Sequence, residues 1–364
     1  MPRSKAADSS NRINGLDRVR RKAGFDFLLL TDPIDIAYAC GFISSSVVLL
    51  IGKGVRLLLT DFRYQQMAQS FCRENAGWQF ILVNKSLGEE LKRFIPAGSH
   101  IGYQSNRMTV DEFARLKKRL RRVRFSGCSE QIEPLFIVKQ SSEISAMRKA
   151  ARIGDRALKK LLPQIIPGVT EVDLVRRLEG YCSELGSQKP SFDTIVLFGK
   201  HSALPHGRPG SLRLKRGMFV LVDFGCTVDG FASDMTRTFV CGPATARQRE
   251  VYQTVLAAQR NARRHTRAGM TAAAIDELAR GPITKAGYGE RFGHALGHGV
   301  GRRIHEAPRL SSQMKTSLPE NTVVTIEPGI YLPELGGVRI EDMAVVHPEG
   351  ISLLTHTPRE LTEL

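Results

Sequence analysis

The sequence predicts two domains of mixed structure, an α/β layer domain followed by a larger α+β domain. The chain has 364 residues, which is too long for one ordinary domain. Short apolar runs alternate with helical patterns in the first third, which is typical of an α/β layer. Later segments combine long helical patterns with further strand-like runs. With 42% apolar and 24% charged residues, the composition is that of a globular enzyme and argues against disorder along the whole length.

The first domain is expected to span residues 1–135. Its predicted strands are Phe27–Thr31, Val47–Leu50, Val55–Thr60, Trp78–Val83 and His100–Tyr103. Its predicted helices are Asn11–Ala23, Tyr64–Glu74 and Val110–Arg122. The sequence IGKG, at 51–54, predicts a hairpin with a four-residue turn.

The second domain is expected to span residues 136–364, after a loosened pattern that leads into a long helix, Ile144–Leu162. Thr170 and Thr271 each precede a helical pattern and are predicted N-caps; Asp173 completes a capping box with Thr170. The helix that follows Thr271 is expected to stop at Gly281-Pro282. The predicted strands are Phe219–Phe224, Phe231–Phe239, Val323–Glu327 and Val338–Val346.

The first residues are polar and predict a loose terminus over 1–12, without the basic and apolar stretches of a secretory signal. The longest apolar runs are far too short to span a bilayer. Six cysteines stand far apart and form no C-x-x-C pair, so we interpret them as reduced and mostly buried thiols. These features favour a cytoplasmic location and no membrane partner.

The net charge of +17 is the one unusual feature of the composition. Seven cations lie between Arg115 and Arg124, and Leu116, Leu120 and Val123 follow helical spacing among them. This predicts a basic amphipathic helix. Binding to nucleic acid or to a membrane surface is one interpretation. A solvated face is favoured, because no nucleic-acid-binding motif accompanies the run.

Two aspartates flank a predicted hairpin in the segment that begins at Met218. With TVDG as a four-residue turn, Asp223 lies directly opposite Asp234, and both carboxylates point to one face. Like charges that face each other across a strand pair are destabilising, and a cation bound between them would make the arrangement stabilising. Two solvated aspartates on an edge hairpin are the alternative, which the apolar residues around both positions weaken.

A glycine-rich segment contains three of the nine histidines, His294, His298 and His305, within twelve residues. Its glycines argue against an ordinary helix and suggest backbone held close to another group. Two glutamates follow or interrupt β-branched runs, Glu327 after VVTI and Glu341 within GVRIEDMAVV. A buried carboxylate must be neutralised, paired or metal-bound.

Four carboxylates and one imidazole favour a hard or borderline divalent ion such as Mn²⁺, with Co²⁺ and Zn²⁺ possible. Five side chains exceed the needs of one tetrahedral zinc site and therefore suggest two metal ions.

The order and spacing of VDFG, SDMTRT, GHGVG, IEPG and RIED resemble the pita-bread metallopeptidases, and within them aminopeptidase P and prolidase. The resemblance covers nearly the whole chain, with a creatinase-like first domain and a pita-bread catalytic domain. It implies a two-metal peptidase that cleaves next to proline, either in Xaa-Pro dipeptides or at the N-terminus of short peptides. It also implies a homodimer.

The resemblance assigns roles to residues that match the family's motifs. Asp223 would bind one metal, Asp234 and Glu341 would bridge, and His298 and Glu327 would complete the other metal's ligands. The positions that surround the metals or contact substrate are His206, His294, His305, Tyr331 and Arg339. Glu327 is the expected proton acceptor from water, and His305 the expected donor to the oxyanion. Departures are Phe231, where tyrosine is common, and FIVKQS before the long helix.

Three alternatives stay open at this point. A methionine aminopeptidase would lack a large first domain and usually follows the last glutamate with His-Thr, whereas Asp342-Met343 stands here. Creatinase-like members lack the full ligand set. A non-catalytic module of the same fold, binding peptide, protein or nucleic acid, would generally have lost ligands.

Overall fold

The computed structural model of the chain describes the backbone of residues 5–364 and the side chains of residues 11–364. The chain divides into two compact units, one that ends at Phe136 and a second that spans Ile137–Leu364. The prediction of a loose terminus is wrong for residues 5–12, which belong to the first helix, and residues 1–4 lie outside the described part. Within residues 5–364, every helix is too short or too polar to cross a bilayer.

The first unit contains one six-stranded sheet, ordered β4-β3-β2-β1-β5-β6. Its strands are β1 Phe27–Leu30, β2 Val47–Gly52, β3 Val55–Thr60, β4 Gln79–Leu82, β5 His100–Tyr103 and β6 Arg124–Gly127. Its helices are α1 Lys5–Lys22, α2 Pro33–Cys40, α3 Gln65–Glu74, α4 Leu87–Leu91, α5 Val110–Arg119, α6 Ser129–Ile132 and α7 Pro134–Ile137, the last crossing the boundary. The mixed α/β layer is therefore as expected, although α2, α4, α6, α7 and β6 were not predicted.

Two local expectations for the first unit need correction. The β2–β3 ladder continues to the pair Gly52 and Val55, so the hairpin turn has two residues and not four. The basic helix ends at Arg119, because the chain turns there to enter β6. Leu116 and Leu120 are nevertheless buried in the core of the unit, and Val123 packs against it.

The second unit contains two larger sheets and two short hairpins. Its helices are α8 Ser141–Leu161, α9 Glu171–Glu184, α10 Ala246–His265 and α11 Ala272–Lys285. Its strands are β7 Ile195–Phe198, β8 Phe219–Phe224, β9 Thr227–Val228, β10 Phe231–Ala232, β11 Met235–Val240, β12 Gly297–Gly299, β13 Glu306–Leu310, β14 Val323–Ile326, β15 Gly329–Leu332, β16 Gly336–Arg339, β17 Asp342–His347 and β18 Gly350–Leu353.

Each large sheet of the second unit packs on its own pair of helices. The sheet β11-β8-β7 shares one apolar core with α8 and α9. The sheet β13-β12-β14-β17-β18 shares another with α10 and α11. Backbone hydrogen bonds join the two sheets where the amide of Glu341 donates to Thr236 at 3.1 Å. Residues from both sheets therefore meet at this junction.

The predicted N-caps are confirmed. Thr170 and Asp173 form a capping box at α9, and the Thr271 side chain accepts from the amide of Ala274 at α11. The expected stop at Gly281-Pro282 is wrong, since α11 continues to Lys285. Pro282 has no N–H for the carbonyl of Leu278, which instead accepts a hydrogen bond from Asn261 Nδ2 at 2.7 Å.

The predicted hairpin register is also wrong. Val228 pairs with Phe231 across a two-residue turn, and Asp223 pairs with Thr236 instead of Asp234. Asp229 and Gly230 adopt positive φ angles of 52° and 75°, as two-residue hairpin turns require. Because side chains alternate along a strand, an error of two residues leaves Asp234 on the face of Asp223.

Two strands predicted as continuous are interrupted. The segment 231–239 divides into β10 and β11, and Asp234 lies between them. The segment 338–346 divides into β16 and β17, and Glu341 lies between them. At each interruption, a carboxylate side chain is directed toward the junction of the two sheets.

Candidate metal centre

Five of the predicted residues meet at the junction of the sheets in the second unit. One ligand atom each of Asp234, His298 and Glu341 lies within 4.8 Å of the others. Glu327 directly follows β14, and its Oε1 is 3.4 Å from His298 Nε2. The charge of Asp223, near the end of β8, acts on the other three carboxylates. The structure thus brings together four carboxylates and one imidazole.

Burial and mutual repulsion disfavour ionisation of these carboxylates. Burial raises the pKa of Asp234 well above its usual range, and the charges of Glu341 and Asp223 act in the same direction. The pKa of Glu341 is raised well above its usual range by burial and by Glu327 and Asp223. Burial also raises the pKa of Glu327 to about 7, despite the opposing charge of Arg339. The cluster therefore holds more negative charge than the protein around it compensates.

His298 faces this cluster with an unprotonated nitrogen. Its Nδ1 lies 3.0 Å from the carbonyl of Gly299, a group that can only accept, so we assign the ring proton to Nδ1. The Nε2 lone pair then points toward Asp234 Oδ2, at 3.6 Å, and Glu327 Oε1. Burial lowers the pKa of His298, which favours this neutral ring. An unprotonated imidazole nitrogen beside two buried carboxyl groups is an arrangement that a cation would stabilise.

The donor set fits divalent metal ions. Asp223 Oδ1 is buried and has no hydrogen-bond partner among the described residues. Buried polar atoms of this kind are rare in native proteins and need an explanation. Oxygen donors with a single imidazole are the chemistry that Mn²⁺, Co²⁺ or Zn²⁺ accepts. The burial, the raised pKa values and the unpartnered oxygen are all accounted for by cations bound among these side chains.

Arg339 is a cation in direct contact with a carboxylate of the cluster. It is buried, and its Nη2 donates to Asp223 Oδ2. Its Nη1 donates to Tyr331 Oη at 2.8 Å, and its Nε donates to Thr236 Oγ1 at 3.1 Å. Each of the three guanidinium nitrogens of Arg339 therefore has a protein partner, and the side chain connects Asp223, Tyr331 and Thr236.

His294 and Tyr331 form a second contact at the edge of the cluster. His294 Nε2 lies 2.9 Å from Tyr331 Oη. Burial lowers the pKa of His294 to about 4, with the charge of Arg339 acting in the same direction, and raises the pKa of Tyr331 to about 12. Both groups are therefore neutral near pH 7, and Tyr331 is held between His294 and Arg339.

His206 and His305 are the exposed members of the predicted set. The ring of His305 lies edge-on to that of His298, with 4.4 Å between centroids. Loss of surrounding water lowers the pKa of His305, and the neighbouring His298 and His206 act in the same direction. These two imidazoles are exposed, whereas Tyr331 and Arg339 are buried.

Two threonines in the site were not predicted. Thr236 Oγ1 donates to Glu341 Oε2 at 2.7 Å. Thr325 Oγ1 donates to Glu327 Oε1 at 3.1 Å and accepts from the amide of His298. A sequence signal did exist, because Thr236 follows Asp234 by two residues and Thr325 precedes Glu327 by two. Residues two apart on a strand share a face.

The glycines of the histidine-rich segment allow close backbone approach, as expected. A Cβ atom at Gly297 would lie 2.1 Å from the carbonyl oxygen of Thr325, and one at Gly299 would lie 2.3 Å from that of Ala307. Larger residues would therefore displace β12 from its neighbours and move His298. The segment forms a short strand with a register shift after His298 and no helix.

Comparison with known proteins gives matches over both units. Residues 145–348 match metallopeptidase family M24, and residues 12–135 match the creatinase/prolidase N-terminal domain. An Xaa-Pro dipeptidase of Pyrococcus furiosus is 34% identical over 96% of this chain and 99% of its own.

Solved structures are similar over nearly the full length. An Xaa-Pro dipeptidase from Bacillus anthracis has a TM-score of 0.92 and 35% identity, covering 98% of this chain and 100% of its own. An X-Pro aminopeptidase from Thermotoga maritima has a TM-score of 0.87 and 32% identity, with both chains covered completely. The fold class and the resemblance inferred from the motifs are confirmed.

Proposed function

Since the chain belongs to metallopeptidase family M24 and carries a creatinase/prolidase N-terminal domain, we propose that it hydrolyses the peptide bond that precedes proline. The substrates would be Xaa-Pro dipeptides or the N-termini of short proline-containing peptides, as the names of its relatives suggest. The observation that carries the proposal is the buried group of four carboxylates around the unprotonated nitrogen of His298.

The metals would be held by the residues that the sequence suggested. We assign Asp223 to one ion, His298 and Glu327 to the other, and Asp234 and Glu341 to both. Mn²⁺ is our first choice, with Co²⁺ and Zn²⁺ as alternatives, because the donors are mainly oxygen. When bound, two such cations supply a water of lowered pKa, so that hydroxide is available at neutral pH.

Glu327 is the proposed proton carrier. Its Oε2 is free of the hydrogen bond that Thr325 donates to Oε1, so it can accept a proton from the attacking water. The proton would then pass to the nitrogen that leaves with proline. A carboxylate that is held through one oxygen keeps its orientation while its other oxygen accepts and releases a proton.

His305 is the proposed donor to the oxyanion. Its lowered pKa keeps the ring neutral near pH 7, and a neutral imidazole still has one N–H to donate. His206, the other exposed ring, would contact the substrate beside it. His294, Tyr331 and Arg339 would contact substrate or hold these groups in place. The amide nitrogen of proline carries no hydrogen, so it cannot donate the hydrogen bond by which ordinary peptidases bind this position. A dedicated site is therefore needed.

Further features stay predictions. We expect a homodimer and a cytoplasmic location, and we expect no nucleic-acid partner despite the charge of +17. The alternatives of a methionine aminopeptidase and of a non-catalytic module lose support, because the first unit and all five candidate ligands are present together.

The decisive experiment compares Ala-Pro with Ala-Pro-Ala as substrates of metal-stripped protein to which Mn²⁺, Co²⁺ or Zn²⁺ is returned. Hydrolysis that depends on added metal supports the proposal, and the preferred peptide distinguishes dipeptidase from aminopeptidase. A methionine-initiated peptide without proline serves as the control substrate. Tight binding of about two metals per chain without hydrolysis of any peptide would instead support a binding module.

A further inference from the structure

A partly buried ion pair on α11 contacts the backbone on both sides of His294. Asp276 and Arg280 are four residues apart, and the Asp276 side chain is fully buried. Arg280 Nε and Nη2 both donate to the Asp276 carboxylate, the latter at 2.9 Å. None of the residues assigned to metal or substrate touches this carboxylate, so the reaction described above does not use it.

The remaining hydrogen bonds of the pair go to the segment 292–296. Arg280 Nη1 donates to the carbonyl of Phe292 at 2.8 Å, and Nη2 donates to the carbonyl of His294 at 2.7 Å. Asp276 Oδ1 accepts from the amide of Leu296 at 3.0 Å. The guanidinium also lies over the Phe292 ring, 4.2 Å from its centroid. Three backbone groups around His294 are thereby bound to one helix.

The segment 292–296 has no regular structure of its own to hold it. It lies between a short 3₁₀ turn and β12, and its residues belong to neither helix nor strand. Gly293 lies within it, and a Cβ atom there would meet no other atom within 4 Å. The segment is otherwise held by the buried side chains of Phe292 and Leu296 and by the Leu296 amide, which also donates to the carbonyl of Leu310 at 2.8 Å. Charged side chains supply hydrogen bonds that are shorter and stronger than neutral ones.

The same segment is connected to the proposed proton carrier. The carbonyl of Leu296 accepts from the amide of Glu327 at 2.8 Å. Asp276 therefore contacts one side of the Leu296 peptide backbone, and Glu327 the other. A shift of this segment would move His294 and Glu327 together.

We propose that Asp276 and Arg280 are positioning residues that hold His294, and through Leu296 also Glu327, in the geometry that hydrolysis requires. The inference rests on the proposed function for its kinetic part. A fixed geometry matters because displacement of a catalytic group by about 1 Å can cost about a hundredfold in rate.

Arg280→Lys is the main test, because lysine retains the charge beside Asp276. Its single nitrogen cannot reproduce the fork that reaches two carbonyls and the carboxylate together. We expect kcat to fall about tenfold to a hundredfold, with unchanged metal content and a melting temperature close to that of the wild type. Arg115→Lys is the matched control, since Asp111 and Arg115 form an exposed pair with the same spacing on α5. That control should leave kcat unchanged.

Two further measurements separate positioning from a general loss of structure. In ¹³C-histidine NMR spectra, the His294 signal, identified by its loss in His294→Ala, should move in Arg280→Lys and stay in Arg115→Lys. Arg280→Lys should also cause a smaller loss of kcat in the His294→Ala background than in the wild type, because only the effect through Leu296 and Glu327 would remain. Asp276→Asn takes the place of Arg280→Lys if the lysine variant does not fold.

An unchanged kcat with an unmoved His294 signal would overturn the inference. Losses that multiply in full in the double variant would overturn the positioning of His294, since no part of the Arg280→Lys effect would then pass through His294. If the wild type hydrolyses neither peptide with any metal, the proposed function fails instead. In that case the histidine spectra still test whether Arg280 positions His294.

Discussion

Glu341 and Asp342 are neighbours in the chain, and both are buried, but their surroundings are opposite. Asp342 accepts hydrogen bonds from Arg237 at 2.8 Å, Arg359 at 2.9 Å and Gln259 at 2.6 Å. Although burial opposes it, the charges of these arginines hold the pKa of Asp342 well below its usual range. The Glu341 side chain accepts from an uncharged threonine, and its pKa is raised by burial and by other carboxylates.

The difference distinguishes a structural carboxylate from a candidate ligand. The two side chains point in different directions, Asp342 toward α10 and the arginines and Glu341 toward the sheet junction. The protein supplies its own cations to Asp342 and leaves the group around Glu341 with excess negative charge. Charged groups that the fold does not compensate are candidates for binding an external ion.

The largest expected effect is loss of activity when a proposed bridging ligand is neutralised. Asp234→Asn and Glu341→Gln should abolish peptide hydrolysis and lower bound metal, because each removes a charge that would be shared by two cations. Both variants should remain folded, and the metal-free protein should melt at the wild-type temperature or above it, since a repulsive charge is gone. Metal analysis and calorimetry measure these outcomes. Full metal occupancy with undiminished turnover would contradict the five-ligand assignment.

His305→Ala should retain metal and lose about two to four orders of magnitude in kcat, the range for a lost acid–base or oxyanion partner. The ring touches His298 but lies outside the carboxylate cluster, so metal content should not change. Steady-state kinetics and metal analysis on one preparation test both parts. Normal rates would show that His305 has only a structural role.

Asp342→Asn should destabilise the metal-free protein, whereas Glu341→Gln should not. Removal of this charge leaves the buried Arg237 without its carboxylate partner, which costs about 3–5 kcal/mol in the free energy of unfolding. Urea denaturation of the metal-free protein measures this loss of stability. The control is Asp111→Asn in the exposed Asp111–Arg115 pair, which should change the free energy of unfolding by less than about 0.5 kcal/mol. Equal destabilisation by Glu341→Gln would remove the distinction between the two carboxylates.

The smallest effect is expected from the exposed cations of residues 115–124. All seven lie on the surface, and Leu116 and Leu120 anchor the segment in the core. Oligonucleotide binding should be weak, should fall steeply with salt and should not alter hydrolysis. Fluorescence anisotropy at increasing salt is the measurement. Tight binding above about 0.2 M salt would favour a nucleic-acid role for this surface.

Most of the correct predictions of secondary structure came from residue types and local spacing. The helix starts at Thr170 and Thr271, the strand Phe219–Phe224 and the absence of a helix around His298 all follow from short-range chemistry, and the structure confirms them. One error arose where a distant group decided the outcome, because Asn261 allows α11 to pass through Pro282. The error in hairpin register was local, because the turn at Asp229 has two residues and not four.

By itself, the sequence determined which chemistry is available, namely carboxylates and one imidazole at the ends of apolar strands, in an order that resembles one peptidase family. Only the tertiary structure decided that Asp234 and Glu341 interrupt their strands at the junction of two sheets. It also decided that Glu341 and Asp342 meet opposite charges, and that Asp276 and Arg280 contact the segment of His294. The physical reason is that burial and charge compensation depend on residues far apart in the chain, whereas propensity and capping depend on neighbours.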